Sequence, residues 1–331
     1  MRRSAKWLQM LSNDYVRLGE LFGILFASLP CIALFLYCHD SGWLTIGLIS
    51  ASLYLTQTSI KWGWVGLLLH WSVILVGISI LFISFPYPWL FALLTALLAG
   101  GCIAISHWGC LLRSLGSWVI IPAVYIACEL HAKGGSSSYM TLMRGVPVAL
   151  LGPILLSFMN GHSWQRASLR SYLGQQSTSV WPMVFGIVVA VFIAALCVDT
   201  FQLEHGQWMI WSVVSVSTGE RQSMYQKLGG RIKGGLLGSC VGLAGLMLPH
   251  VDFMASMSVF LTPLTLVVRN YSLSFACRCM LIVLSTASLH QGETIALYRL
   301  LNVLAGGILG VSIGWLFIKL ASSRYFSSYH G

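Results

Sequence analysis

The chain has 331 residues, 57% of them hydrophobic and only 8% charged, with a formal net charge of +10 and a mean hydropathy of +0.80. These values exclude a soluble globular domain and define an integral membrane protein. The positive balance follows membrane topology, and it lacks the basic face with interleaved aromatics that tracks a phosphate backbone, so no nucleic-acid partner is expected.

The chain opens with MRRSAKWLQMLSNDYVRLGE, a basic amphipathic stretch. It precedes the first apolar run without the short core and small-residue cleavage site of an export peptide, so it is expected to be retained. A helix needs about 20 apolar residues to cross about 30 Å of hydrocarbon. Apolar runs occur near 20–38, 42–60, 62–84, 88–106, 114–130, 140–159, 181–199, 206–219, 232–250, 253–269, 272–289 and 294–319. The expected fold is therefore all-α and membrane-embedded, with about twelve transmembrane helices.

Charge placement supports an even number of crossings with both termini in the cytoplasm. Arg17, Lys61, Arg113, Arg166, Arg170, Arg221, Lys227, Arg231, Lys233, Arg269, Arg278 and Lys319 fall on or near the expected inner side, while the outer connections carry Lys133. Asp40, Glu129, Asp199, Glu204, Asp252 and Glu293 collect near the outer face. The expected home is the inner, or plasma, membrane.

Internal similarity divides the chain in two. HDSGW at 39–43 resembles HGQW at 205–208, setting Trp43 opposite Trp208, and Lys61 then falls opposite Lys227 and Arg113 near Arg278. MRGVPVALLG at 143–152 resembles YRLLNVLAGGILG at 298–310, pairing Arg144 with Arg299. The expected organisation is a cytoplasmic amphipathic segment (1–19), two parallel six-helix repeats (20–159 and 181–320), a polar cytoplasmic linker (160–180) and a cytoplasmic tail (321–331).

The second half, from Trp208 through GERQ and KLGGRIKGGLLG to RLLNVLAGGILG, resembles the fusaric acid resistance or aromatic acid exporter family. The family's motif runs from a basic stretch into Arg, two residues, Gly-Thr and a further glycine. Arg231, Ile232, Lys233, Gly234 and Gly235 stand there, with glycine in place of threonine, and Val65 stands where the first half would carry the arginine. The resemblance implies efflux of organic, aromatic carboxylate anions across the inner membrane. It implies proton motive force as the drive and a periplasmic adaptor protein as a partner. A passive organic-anion channel and a non-transport membrane assembly subunit stay as alternatives, and monomer and homodimer are both open. No Walker loop and no nucleophile with its base stands out, so the chain is read as neither an ATPase nor an enzyme, and no cofactor is expected.

Candidate site residues follow from charge at unusual depth. Arg144 and Arg299 each sit about one turn inside an apolar run, where a guanidinium costs at least about 2.5–3.5 kcal/mol at the bilayer centre and so faces protein or water. They are read either as one shared anion site or as arginines snorkelling to the headgroups. Arg113 and Arg278 suit a cytoplasmic entrance or positive-inside anchoring. Arg231 and Lys227, at the mouth of a glycine-rich run, suit a carboxylate-collecting vestibule or lipid anchoring. Trp43 and Trp208 are candidates for stacking on an aromatic substrate or for the interfacial belt. Glu129, Asp199 and Glu293 are the acids near enough to the apolar zone to carry protons. His39, His131, His205, His250 and His290 show no ligand spacing, and the nine cysteines form no CxxC pair, so no metal site is expected.

Overall fold

A computed structural model describes residues 18–40, 42–60, 63–108, 112–132, 134–159, 180–217, 221–248, 254, 258, 261–286 and 291–327. Every regular element among them is helical. The helices are α1 (Leu18–Cys38), α2 (Gly42–Ile60), α3 (Trp64–Ser84), α4 (Pro88–Ala104), α5 (Leu112–Ala132), α6 (Ser136–Gly145), α7 (Leu151–Met159), α8 (Trp181–Thr200), α9 (Gln207–Val216), α10 (Arg221–Leu246), α11 (Tyr271–Ser285) and α12 (Gly292–Ser327). Short 3₁₀ segments run over Ile105–Trp108, Val146–Leu150 and Thr262–Val267. The expected linker at 160–180 and the tail past residue 327 lie outside the described residues, except Val180.

Six helical stretches among the described residues are long and apolar enough to cross a membrane: Gly19–Cys38, Trp64–Ser84, Pro88–Trp108, Ser136–Met159, Trp181–Thr200 and Gly292–Ser322. The chain is thus an α-helical multi-pass membrane protein. Of the other expected runs, the one at 253–269 lies partly outside the description, as do some side chains of the one at 114–130, and four differ for local reasons. α2 carries six Ser and Thr residues, α10 mixes glycines with cations, and α9 and α11 have 10 and 15 residues. At 1.5 Å per residue, α9 reaches about 15 Å, half the hydrocarbon thickness. The surface is apolar where lipid would lie. Phe22, Ile83, Leu97, Phe185, Leu237 and Ile308 are exposed, whereas an aqueous surface would rarely leave so much contiguous hydrocarbon uncovered.

Two boundaries differ from expectation in ways that matter for the site. α10 starts at Arg221, eleven residues before the apolar run does, because the intervening stretch holds few helix breakers beyond Gly229 and Gly230, of which Gly230 packs against Tyr271 and Ser272 of α11. Lys227, Arg231 and Lys233 therefore lie inside a helix and not at its mouth. The sixth run is broken into α6, the Val146–Leu150 segment and α7. Pro147 and Pro153 lack the N–H that would close α-helical bonds there.

Packing is set by small residues and serine bonds. α1 lies on α2, with Ser28 Oγ donating to the Gly47 carbonyl at 3.3 Å, and α2 is tied to the broken helix by Ser50 Oγ donating to the Ala149 carbonyl at 2.9 Å. In the second half Ser212 Oγ of α9 donates to the Val303 carbonyl of α12 at 2.7 Å. Several seams join the halves, among them α5 on α9. α4 packs on α8, where Gly100 faces Val184 and Val188. Ile24, Ala27, Ala51 and Tyr54 of α1 and α2 bury against Val267.

Candidate functional site

The site begins with a glycine ladder. Gly230, Gly234, Gly238 and Gly242 recur every four residues along α10 and so share one face, which lies on α11. A Cβ at Gly234 would stand 2.5 Å from the Ser272 carbonyl oxygen, and one at Gly238 would run into the Ala276 carbonyl. The two backbones approach this closely because those methyls are missing. The approach carries Arg231, next to Gly230 in sequence, onto the aromatic face of α11.

α11 supplies that face from one helical period. Tyr271, Phe275, Arg278 and Cys279 are spaced four, seven and eight residues from the first, so they project together. Arg231 Nε donates to Tyr271 Oη at 3.0 Å, and Tyr271 Oη is also bonded to Ser215 Oγ of α9 at 3.0 Å. Arg299 arrives from α12 and its Nε donates to Cys279 Sγ at 3.2 Å. Arg278 Nη2 donates to Ser274 Oγ at 2.9 Å.

Three guanidinium groups thus gather round one ring. The Cζ atoms of Arg231, Arg299 and Arg278 lie 4.7, 5.7 and 5.9 Å from the Phe275 centroid. Arg299 also sits 4.8 Å from the Trp208 ring, and Trp208 is stacked on His205 with centroids 4.6 Å apart. A column of alternating rings and cations runs from His205 through Trp208, Arg299, Phe275 and Arg231 to Tyr271. Ile295 and Val303 complete its apolar wall.

The charge in this column is poorly compensated by what surrounds it. Arg231 and Arg299 are each 2% exposed. Arg231 Nη1 and Arg299 Nη1 are buried with no hydrogen-bond partner among the described residues. Both guanidinium groups lie against one ring, and at an effective dielectric of about 20 two cations about 10 Å apart, the most this shared contact allows, repel by about 1.7 kcal/mol. Cation–π contact offsets about 0.5–2 kcal/mol per arginine. The arrangement suits an anion that brings its own ring, with a carboxylate for the unpartnered Nη donors and an aromatic face for Phe275 or Trp208.

The other sequence candidates lie elsewhere. Lys227 is half-buried one turn before Arg231 on α10. Arg144 is exposed near the end of α6, so the structure groups Arg299 with Arg231 and Arg278 and not with Arg144. Arg144 stands just before a proline-led 3₁₀ segment, while Arg299 sits within the unbroken α12. Arg278 lies midway along α11, and Arg113 is the second residue of α5.

Trp43 and Glu129 line a separate cleft of about 240 Å³ with Asp40, Thr45, Ser137 and Thr141. Asp199 ends α8 half-buried, and Glu293 is exposed in the first turn of α12. Glu129 nevertheless reaches the column electrostatically. Burial holds the His205 imidazole below its ordinary range, Glu129 and Glu204 act in the opposite sense, and Arg299 adds to the lowering. Among the described residues no group of three His, Cys, Asp or Glu side chains could hold a metal ion.

Sequence reasoning missed Tyr271, Phe275 and Cys279, although the four-residue spacing of YSLSFACRC was a usable signal. It also passed over His70, a titratable residue in the middle of an apolar run.

The protein is thus a membrane-embedded helical bundle with buried cations facing aromatic rings. The family model described as fusaric acid resistance protein-like matches residues 189–313, a stretch that spans Trp208, Arg231, Phe275, Arg278 and Arg299, and this likeness supports membrane transport in a general sense. No curated protein and no solved structure matches the chain.

Proposed function

We propose that the protein exports organic, aromatic carboxylate anions across the inner membrane, driven by proton motive force, with Arg231, Arg278 and Arg299 as the anion site. The observation that carries this reading is the pair of buried Nη1 donors on Arg231 and Arg299 that lack partners among the described residues. A buried donor left unpaired costs about 1–3 kcal/mol, more when charged. An incoming carboxylate removes that cost and the mutual repulsion together. Phe275 and Trp208 take the ring of the substrate, and His205 and Tyr271 mark the two ends of its path.

Two parallel six-helix repeats, with termini in the cytoplasm, are part of the same reading. Several pairs of features favour them. His39 and His205 both adopt left-handed φ values, 57° and 55°. Ser50 and Ser212 each tie a second-position helix to a sixth-position helix. α1 meets the second half as α8 meets the first. Rocking of one unit against the other would then expose the column alternately. A periplasmic adaptor receiving the product is part of the proposal, and lipid covers the apolar exterior.

The test is efflux of labelled 4-hydroxybenzoate from cells carrying Arg231→Gln, Arg299→Gln or Arg144→Gln, with membrane levels matched. The first two are expected to reduce efflux by about tenfold or more, since a charged hydrogen bond is worth about 1.5–3 kcal/mol, while Arg144→Gln retains it. Unchanged efflux in both buried-site variants overturns the anion site. Flux that follows the anion gradient with no response to a pH gradient identifies a passive channel instead.

A further inference from the structure

The first half contains a second buried polar site, unrelated to any motif. His70 of α3 is 3% exposed and Thr56 of α2 is 4% exposed. His70 Nε2, Thr56 Oγ1 and Gln57 Nε2 are all buried without a hydrogen-bond partner among the described residues. Thr56 differs in this from its neighbours. Thr58 and Ser59 both donate back to the Leu55 carbonyl at 2.9 Å, whereas Thr56 Oγ1 does not.

These three side chains line one narrow gap with Leu53, Ile60, Leu67 and Leu115, and the gap is too tight for a water molecule. The Trp118 backbone approaches the imidazole as a weak partner. Among the described residues no charged side chain lines the gap. Of the titratable groups on the helices packed against α3, Tyr54 of α2 faces α1. Cys102 of α4 lies against Gly116 of α5. Tyr125, Cys128 and Glu129 stand about 15 Å or more further along α5 than Leu115. α7 carries none. Lys61 and the Arg113 side chain lie outside the description.

Three polar groups without a partner among the described residues, facing a gap that admits no water, describe a site shut in this conformation. Water supplies their partners when the gap opens. Imidazole is the one side chain whose ordinary range spans neutral pH, so of the three only His70 can take up and release a proton there. Its position, about 9 Å along α3 from Trp64, places it within the membrane. The gap also lies between α2, α3 and α5, the same ordinal helices of the first half as α9, α10 and α11, which frame Arg231 in the second.

We propose that His70, with Thr56 and Gln57, is the proton-carrying site that couples proton entry to anion exit; this rests on the anion-export reading above. A proton from water on the outer side binds the Nε2 lone pair when the gap opens outward. Thr56 and Gln57 then supply the hydrogen-bond shell for the imidazolium. The same proton leaves from Nε2 to water on the inner side as the carboxylate is released outward, so no covalent bond other than N–H forms or breaks.

The experiment uses the full chain in liposomes, as wild type, His70→Gln and His70→Asn, with labelled 4-hydroxybenzoate and a trapped pH dye. Exchange of labelled for unlabelled anion without a pH gradient needs no net proton movement, whereas accumulation in an acidic lumen does. The His70 variants are expected to exchange within about twofold of wild type yet lose accumulation and dye response by about tenfold or more. Wild type that exchanges nothing overturns the export reading and this proposal with it. His70 variants that accumulate like wild type overturn the His70 assignment alone. Should both lose exchange as well, Thr56→Val decides: a shift of about half a unit or more in the pH midpoint of accumulation supports the site, since a lost hydrogen bond to imidazolium weakens proton binding, and an unmoved midpoint overturns it.

Discussion

Arg231 of α10 and Arg299 of α12 lean on the same ring, their guanidinium carbons 4.7 and 5.7 Å from the Phe275 centroid, and each keeps one Nη1 buried and unpartnered among the described residues. Like charges held this way weaken the fold while preparing it for an anion. Arg299→Met, which keeps the volume and removes the charge, is therefore expected to raise the melting temperature in detergent and abolish efflux. Replacing buried ionic groups with apolar ones of similar size gains about 1–4 kcal/mol in favourable cases. A melting temperature lower than wild type would show that the arginine stabilises the fold. Arg231→Gln combined with Arg299→Gln should lose less efflux than the product of the single losses, because both act on one carboxylate.

The glycine ladder sets a second expectation. Gly238→Ala places a methyl against the Ala276 carbonyl, a backbone atom that cannot turn aside, whereas a Cβ at Gly229 meets nothing within 4 Å. Overpacking of this kind costs about 1–3 kcal/mol. Gly238→Ala should melt several degrees lower than wild type, and Gly229→Ala should melt at or above it. Equal melting temperatures would mean that α10 and α11 are not held at this distance.

The His205 imidazole is held below its ordinary value near 6.5, chiefly by burial. As pH falls through that value the unfolded chain binds a proton before the folded one, so stability rises with pH and declines on acidification below about 6.5. Wild type should lose melting temperature between pH 7 and pH 5. His205→Gln should show a shallower loss over the same window, and an identical slope would remove His205 as its source.

Topology gives the last expectation. The proposed topology sets 160–180 in the cytoplasm, so a single cysteine at Ser177 should react with a membrane-impermeant maleimide in inverted vesicles and remain unlabelled in intact cells. Labelling from outside intact cells would invert the assigned orientation.

Composition and apolar run length were enough to establish a helical membrane protein, because hydrophobicity over twenty residues is a local property and the bilayer responds to it directly. The likeness of the second half to the fusaric acid resistance family was legible in the basic, glycine-rich stretch around Arg231. Where α10 begins was not, since a helix of mixed glycines and cations gains its stability from the backbone of α11 and not from its own hydropathy. Nor could the chain alone pair Arg299 with Arg231 and Arg278. Repeat matching pointed to Arg144, which stands exposed before the proline-led break after α6, while the packing of α10, α11 and α12 brings together Arg231, Arg278 and Arg299 from helices that share no sequence neighbourhood. His70 was missed for the same reason: a lone histidine in an apolar run becomes a candidate only when tertiary packing leaves it buried beside Thr56 and Gln57, with its Nε2 unpartnered among the described residues.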